Sequence, residues 1–150
     1  MDRKNKVKMK NIRLVNIVIV ALAFFFHSCN SAVPTKKNII GEWIGVDGSK
    51  LRFKANGTFE GEMLPGEHFF GQTQGHKGKK VYGSGKWLLK KGQGWWEISM
   101  NFNKILNQED EFDTQILISG SSGLLSQNPP WYLFEWKDEE GGERYVFKKQ

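Results

Sequence analysis

Cysteine is almost absent: Cys29 is the single thiol in 150 residues. No disulfide can form within the chain, so the fold must rest on packing. A long apolar run is also missing. The longest, Leu14 to Phe26, has thirteen residues and is interrupted by Asn16, short of the twenty or so that a helix needs to cross a bilayer. Histidine is scarce beyond the N-terminal region, where only His68 and His76 remain. A metal site needs at least three converging ligands, so none is expected. Reactive constellations are wanting too: no Ser-His-acid set stands out, and "YGSGKW" lacks the earlier glycine and the Ser/Thr after Lys86 that a phosphate loop requires. The expectation is a protein that is not an enzyme and uses no cofactor.

An excess of one charge is missing as well, once its location is considered. The formal net charge is +6. Six of the 22 Lys and Arg, and one of the 16 acids, lie in residues 1–28. The remainder carries 16 basic and 15 acidic side chains. Such a near-neutral domain has no general attraction to a phosphate backbone, and nucleic acid is set aside.

What is present at the start is ordered in a telling way. Arg3, Lys4, Lys6, Lys8, Lys10 and Arg13 precede the apolar run, and Ser28 stands directly before Cys29. A basic start, a short apolar core and a small exit residue form the pattern of a secretory signal. "FHSC" resembles the lipobox of bacterial lipoproteins. The resemblance implies cleavage after residue 28 and acylation of Cys29, whose thiolate is the competent nucleophile. Each buried acyl CH₂ contributes about 0.8 kcal/mol, and two or more chains such as palmitate give a stable anchor. It also implies a bacterial cell envelope location, on the periplasmic side or the cell surface, with the bilayer as a partner. An uncleaved signal anchor or a secreted protein is the other reading. Residues 29–38 then form a polar tether, and residues 39–150 one domain.

That domain reads as all-β. Period-two alternation is clearest in "WWEISMNFN", where Trp96, Ile98, Met100 and Phe102 oppose Glu97, Ser99, Asn101 and Asn103. Asp47-Gly48, Asn56-Gly57, "KGQG" and "EEGG" are hairpin turns. Eight short strands follow: 39–47, 49–55, 58–64, 84–90, 95–103, 112–119, 131–138 and 143–149. "GSSGLLSQNPP" is expected to be a loop, and Pro65 to Gly83 a long polar one. Ile105-Leu106 and Leu124-Leu125 suit short turns. Sequential strands joined by tight turns predict an antiparallel up-and-down barrel, with a sandwich as the alternative.

"IIGEWIGVDGSKLRFKANGTFEGEM" resembles the opening of a lipocalin or related calycin barrel, through Gly41-x-Trp43 and the hairpin from Leu51 to Phe59. The resemblance implies that Trp43 plugs the closed end of the barrel, with Gly41 beside it, and that a small bacterial lipocalin-like lipoprotein holds a small apolar or amphiphilic ligand.

The expected inward set is Trp43, Leu51, Phe53, Phe59, Met63, Trp87, Trp96, Ile98, Met100, Phe102, Phe112, Ile116, Ile118, Phe134 and Phe147. These side chains either fill the barrel or line a pocket. In the pocket reading Trp87, Trp96, Met100 and Phe112 touch the ligand and Phe69 and Phe70 cap the mouth. Gly61 and Gly85, inward on adjacent strands, would leave room for a guest or mark bends. In the filled reading the domain is a protein-interaction, immunity or inhibitor module, and "WYLFEW", apolar on both faces, meets an envelope protein.

Overall fold

The computed structural model describes residues 32–70, 76, 78–106, 108–122, 127–137 and 142–150. The signal, Cys29, Lys77 and Leu124-Leu125 lie outside these residues. The elements, in order, are α1 (Lys36–Ile39), β1 (Gly41–Gly45), β2 (Lys50–Phe53), β3 (Thr58–Pro65), α2 (Gly66–Phe69), β4 (Lys80–Lys91), β5 (Trp96–Ile105), β6 (Gln108–Ser122), β7 (Gln127–Trp136) and β8 (Arg144–Lys149). All eight strands are antiparallel to their neighbours and form a closed up-and-down barrel in chain order. The closing seam pairs Trp43 with Lys149, Ile44 with Lys148 and Gly45 with Phe147. Closure leaves no sheet edge exposed.

The turns fall into two sets. Those after β2, β4 and β6 gather at one end, called the base, where β1 also begins. Those after β1, β3, β5 and β7 gather at the other, called the lid end. At the base the Trp43 indole N–H donates to the Ile39 carbonyl at 2.7 Å, so α1 is pinned across the start of the barrel. Trp43 and Ile39 are both fully buried. The segment expected to be a plain tether thus contains one helical turn, with Thr35 and Asn38 as its capping box.

Alternation places most of the expected inward set inside. Trp43, Leu51, Phe53, Phe59, Ile98, Met100, Phe102, Ile116, Ile118 and Phe147 are all 0–2 % exposed. Each such side chain contributes about 1.5–3 kcal/mol relative to its exposed state. Two members are corrections. Met63 is 37 % exposed, because the β3–β4 register shifts between Gly61 and Leu64. That bulge turns Leu64 into the core in place of Met63. Phe134 pairs with Leu117 and Val146 on the outer wall, while its neighbour Leu133 pairs with Ile118 and Phe147 inside. With both faces of the strand apolar, alternation alone could not choose its phase.

Several boundaries also differ. β4 begins at Lys80 rather than residue 84, and β6 runs from Gln108 to Ser122 rather than 112–119. Pro129 and Pro130 lie within β7 rather than closing a loop, next to a shift in register between Ser119 and Ser121, where prolines are tolerated. Ile105 ends β5 and is buried. The room expected at Gly61 and Gly85 is taken. A Cβ on Gly61 would lie 2.5 Å from Leu64 Cδ1, and one on Gly85 1.9 Å from the Asn101 carbonyl oxygen. Both glycines accommodate bulges, the bend that was the alternative reading.

Candidate functional site

The lid is built from the segment after β3. Gly66 N–H donates to the Lys79 carbonyl and Phe70 N–H to the Gly66 carbonyl, each at 2.9 Å. This one-turn helix drives Phe69 and Phe70 into the barrel, where they are 2 % and 1 % exposed. Phe69 meets Phe147 edge-on at 6.0 Å between ring centroids. Phe70 lies 5.0 Å from Phe102, 5.2 Å from Phe112 and 5.3 Å from His76.

Of the six residues expected to contact a ligand, the structure brings Phe70 and Phe112 together, with Phe69 beside them in the same core. Met100 is fully buried at mid-barrel, paired with Trp87 and Thr114. Trp87 belongs to the base half: its indole donates to the Lys54 carbonyl at 3.1 Å and meets Phe53 edge-on at 5.4 Å. Trp96 packs against the core beside the β4–β5 turn. The six therefore do not line one mouth. Gly41 adopts a φ of +129° at the entry to β1, a conformation that glycine permits.

The lid end also holds a polar network that sequence reasoning missed. Asp47, in the β1–β2 turn, accepts hydrogen bonds from the Tyr145 hydroxyl and the Lys80 ammonium, and from Ser49 N–H at 3.1 Å. Ser49, fully buried, donates to the Tyr145 oxygen at 2.6 Å. Burial opposes charge on Asp47, but the bonds from Lys80, Tyr145 and Ser49 outweigh it and hold the carboxyl well below its usual range. Tyr145 is pushed up by burial and by donating to Asp47, so it is a neutral donor and a poor acid. The His68 ring stacks on Tyr145 at 5.0 Å, and burial lowers its pKa. An open cleft of about 300 Å³ is lined here by Asp47, Glu67, His68, Lys80, Lys137 and Tyr145, among others.

Next to this cleft, Glu135 is the register partner of Tyr145 and shares the inward face of β7 with Leu133. It makes no hydrogen bond or ion pair among the described residues, and burial raises its pKa to about 8. The period-two count starting at Leu133 contained this signal, had the strand's phase been known. Nδ1 of His76 is likewise buried without a partner.

No protein-family model, curated protein or solved structure matches the chain. Its surfaces must speak for themselves.

Two stand out on the outer wall. The first is the expected aromatic face of β7. Phe134 is completely buried there, covered by Trp95 at 5.5 Å, Trp136 at 5.4 Å and Tyr132 at 6.0 Å. The Arg144 guanidinium caps Phe134 at 4.4 Å and Trp136 at 4.5 Å. Trp95, from the β4–β5 turn, thus covers much of that face, while Trp136 itself stays 37 % exposed. The second, near the lid end, is open. Tyr82 is 49 % exposed, with Met63 at 37 % and Leu106 at 45 % on neighbouring segments. Leu106 N–H donates to the Tyr82 carbonyl at 2.9 Å, and the Met63 bulge faces Tyr82 from β3. Met63 and Leu106 have φ of +53° and +50°, which costs a bulky residue about 1–2 kcal/mol. Beside them a groove of about 230 Å³ runs between β3 and β4, lined by Glu60, Glu62, Tyr82, Ser84 and Lys104.

Proposed function

We propose that this chain is a lipid-anchored protein of the bacterial cell envelope, acylated at Cys29, whose lipocalin-like barrel is a packed scaffold for binding another envelope protein. It is not an enzyme in this reading. One observation carries it: Met63, Tyr82 and Leu106 present an open apolar row on a barrel whose inner side chains are already in contact with one another. Two bulky residues held at positive φ favour this, since backbone strain persists where surrounding structure or function requires it. Aromatic and Met side chains at the centre of a patch, with Glu62 and Lys104 around them, match the composition of interface cores and rims.

A second reading is favoured by the lid-end cleft and by Glu135 beside it, which has no partner among the described residues: a small amphiphilic ligand bound at the lid rather than deep in the barrel. Native mass spectrometry of the mature chain, incubated with an envelope extract from the source cell, separates the two. The scaffold reading expects the bare mass plus a discrete protein complex that Tyr82→Lys abolishes. A reproducible adduct of one small molecule, unaffected by Tyr82→Lys and with no protein complex, would overturn it in favour of the ligand.

A further inference from the structure

We infer that the base of the barrel is a docking surface for anionic lipid headgroups, so that the domain stands on the bilayer with its lid end outward. The inference deepens the proposed anchoring at Cys29. The chain enters the fold at the base, through α1, which Trp43 pins and to which Lys149 donates at the Asn38 carbonyl, at 2.7 Å. Five residues separate Cys29 from Thr35, a span of at most about 22 Å. An anchored chain therefore holds the base within reach of the headgroups.

Charge at that end is one-sided. Lys36 and Lys37 lie on α1, Lys86 pairs with Thr58 beside the β2–β3 turn, and Lys91 ends β4. All four are exposed and none forms an ion pair among the described residues. Three carboxylates of the base half are held by cations, and Asp113, level with Lys86, accepts from Asn101 at 2.9 Å. Glu97 is 8 % exposed and held by Lys90 at 3.1 Å. Glu42 is held by Arg52 at 2.6 Å, and Glu60 by Lys54 and Arg52. The lid end is mixed: Asp47, Glu67, Glu109, Glu111 and Glu143 lie on or beside its turns among Lys79, Lys80, Lys104 and Lys137, with Lys80 paired to Asp47 and Lys137 to Glu143. Unpaired positive charge on this near-neutral domain is thus gathered at the base. A negatively charged leaflet attracts that end more than the mixed lid end, within a Debye length of about 8 Å.

The test uses residues 30–150, which contain every strand of the closed barrel and its whole core but no lipid site. Sedimentation is measured with vesicles of phosphatidylcholine alone and of phosphatidylcholine mixed with phosphatidylglycerol. Binding is expected only to the mixed vesicles, weakening as salt is raised. Replacing Lys36, Lys37, Lys86 and Lys91 by Gln should weaken it roughly fivefold per lysine. The base pair Lys36→Gln with Lys37→Gln is matched by a control of equal charge at the lid end, Lys79→Gln with Lys104→Gln, which should leave binding unchanged. Equal binding to both vesicles, or equal losses in the base pair and the control, would overturn the inference. The anchor is tested separately by the mass of the native membrane-extracted chain: an unmodified Cys29 sinks the lipoprotein reading and leaves the vesicle result standing.

Discussion

Glu135 makes a measurable claim on stability. The carboxyl faces inward opposite Tyr145, with no hydrogen bond or ion pair among the described residues, and burial moves its pKa from 4.5 to about 8. In the unfolded chain it ionises near 4.5; in the folded barrel it stays protonated until about pH 8. The unfolded state therefore binds fewer protons across that window, and stability falls as pH rises through it, by about 1.4 kcal/mol per pH unit. At pH 7 the accumulated loss is about 3 kcal/mol at most, reduced where water reaches the carboxyl. Above pH 8 it levels off. Glu135→Gln keeps the shape and removes the ionisation. Urea titrations followed by tryptophan fluorescence, from pH 5 to 9 on both proteins, give the difference in unfolding free energy. The variant should gain on wild type steadily from pH 5 to 8, by at least about 1–2 kcal/mol, with equal denaturant slopes. Contributions from Asp47 and His68 cancel in that difference. Parallel curves, within about 0.5 kcal/mol across the range, would refute the placement of Glu135 in a desolvated, partnerless site.

Tyr145→Phe removes the hydroxyl that ties Asp47 to buried Ser49 and should cost about 1–3 kcal/mol, read from the urea midpoint. Asp47→Asn should flatten the acid limb: in wild type this carboxylate contributes stability above its ordinary value of 3.8 that is lost as pH falls below it, so the two melting curves converge at low pH. Gly85→Ala places a methyl 1.9 Å from the Asn101 carbonyl and should destabilise by about 1–3 kcal/mol by parting β4 from β5, visible as faster amide exchange along that pair. Met63→Gly should stabilise by about 1 kcal/mol through relief of its left-handed backbone, while weakening capture of the partner protein.

The barrel was legible because its signals are local. Hairpin dipeptides such as Asp47-Gly48 and Asn56-Gly57 fix turn positions, and Trp96 to Phe102 alternate without interruption. Bulges are not local. Whether Met63 or Leu64 faces inward depends on the space left by Gly61 and Gly83 opposite it, which only the register reveals. The phase of "WYLFEW" was hidden for a related reason: both faces are apolar, so Phe134 and Leu133 were equally good core candidates until Trp95 and Arg144 were seen to cover the outer one. The polar network was out of reach because Asp47 and Tyr145 are almost a hundred residues apart and nothing in their neighbourhoods marks them as partners. The one-turn lid helix was too short for any periodic signal, although Phe69-Phe70 within a polar loop hinted that the loop returns to the core.

The seam between β1 and β8 sets an order of events in folding. On the side away from β2, Trp43, Ile44 and Gly45 pair with Lys149, Lys148 and Phe147, which follow the other seven strands in the chain. Every other strand pair is a sequential neighbour and can zip as soon as its hairpin emerges, but the ring cannot close on a partial chain. Closure must gather a loop of about a hundred residues for a few hydrogen bonds, a modest entropic cost that grows only with the logarithm of length but places the slowest contact last. Until then the chain is an open curl with two unsatisfied edges, pliable enough to be threaded. Removing β8, Arg144–Lys149, would hold it in that state, with the edges of β1 and β7 free to pair with other chains.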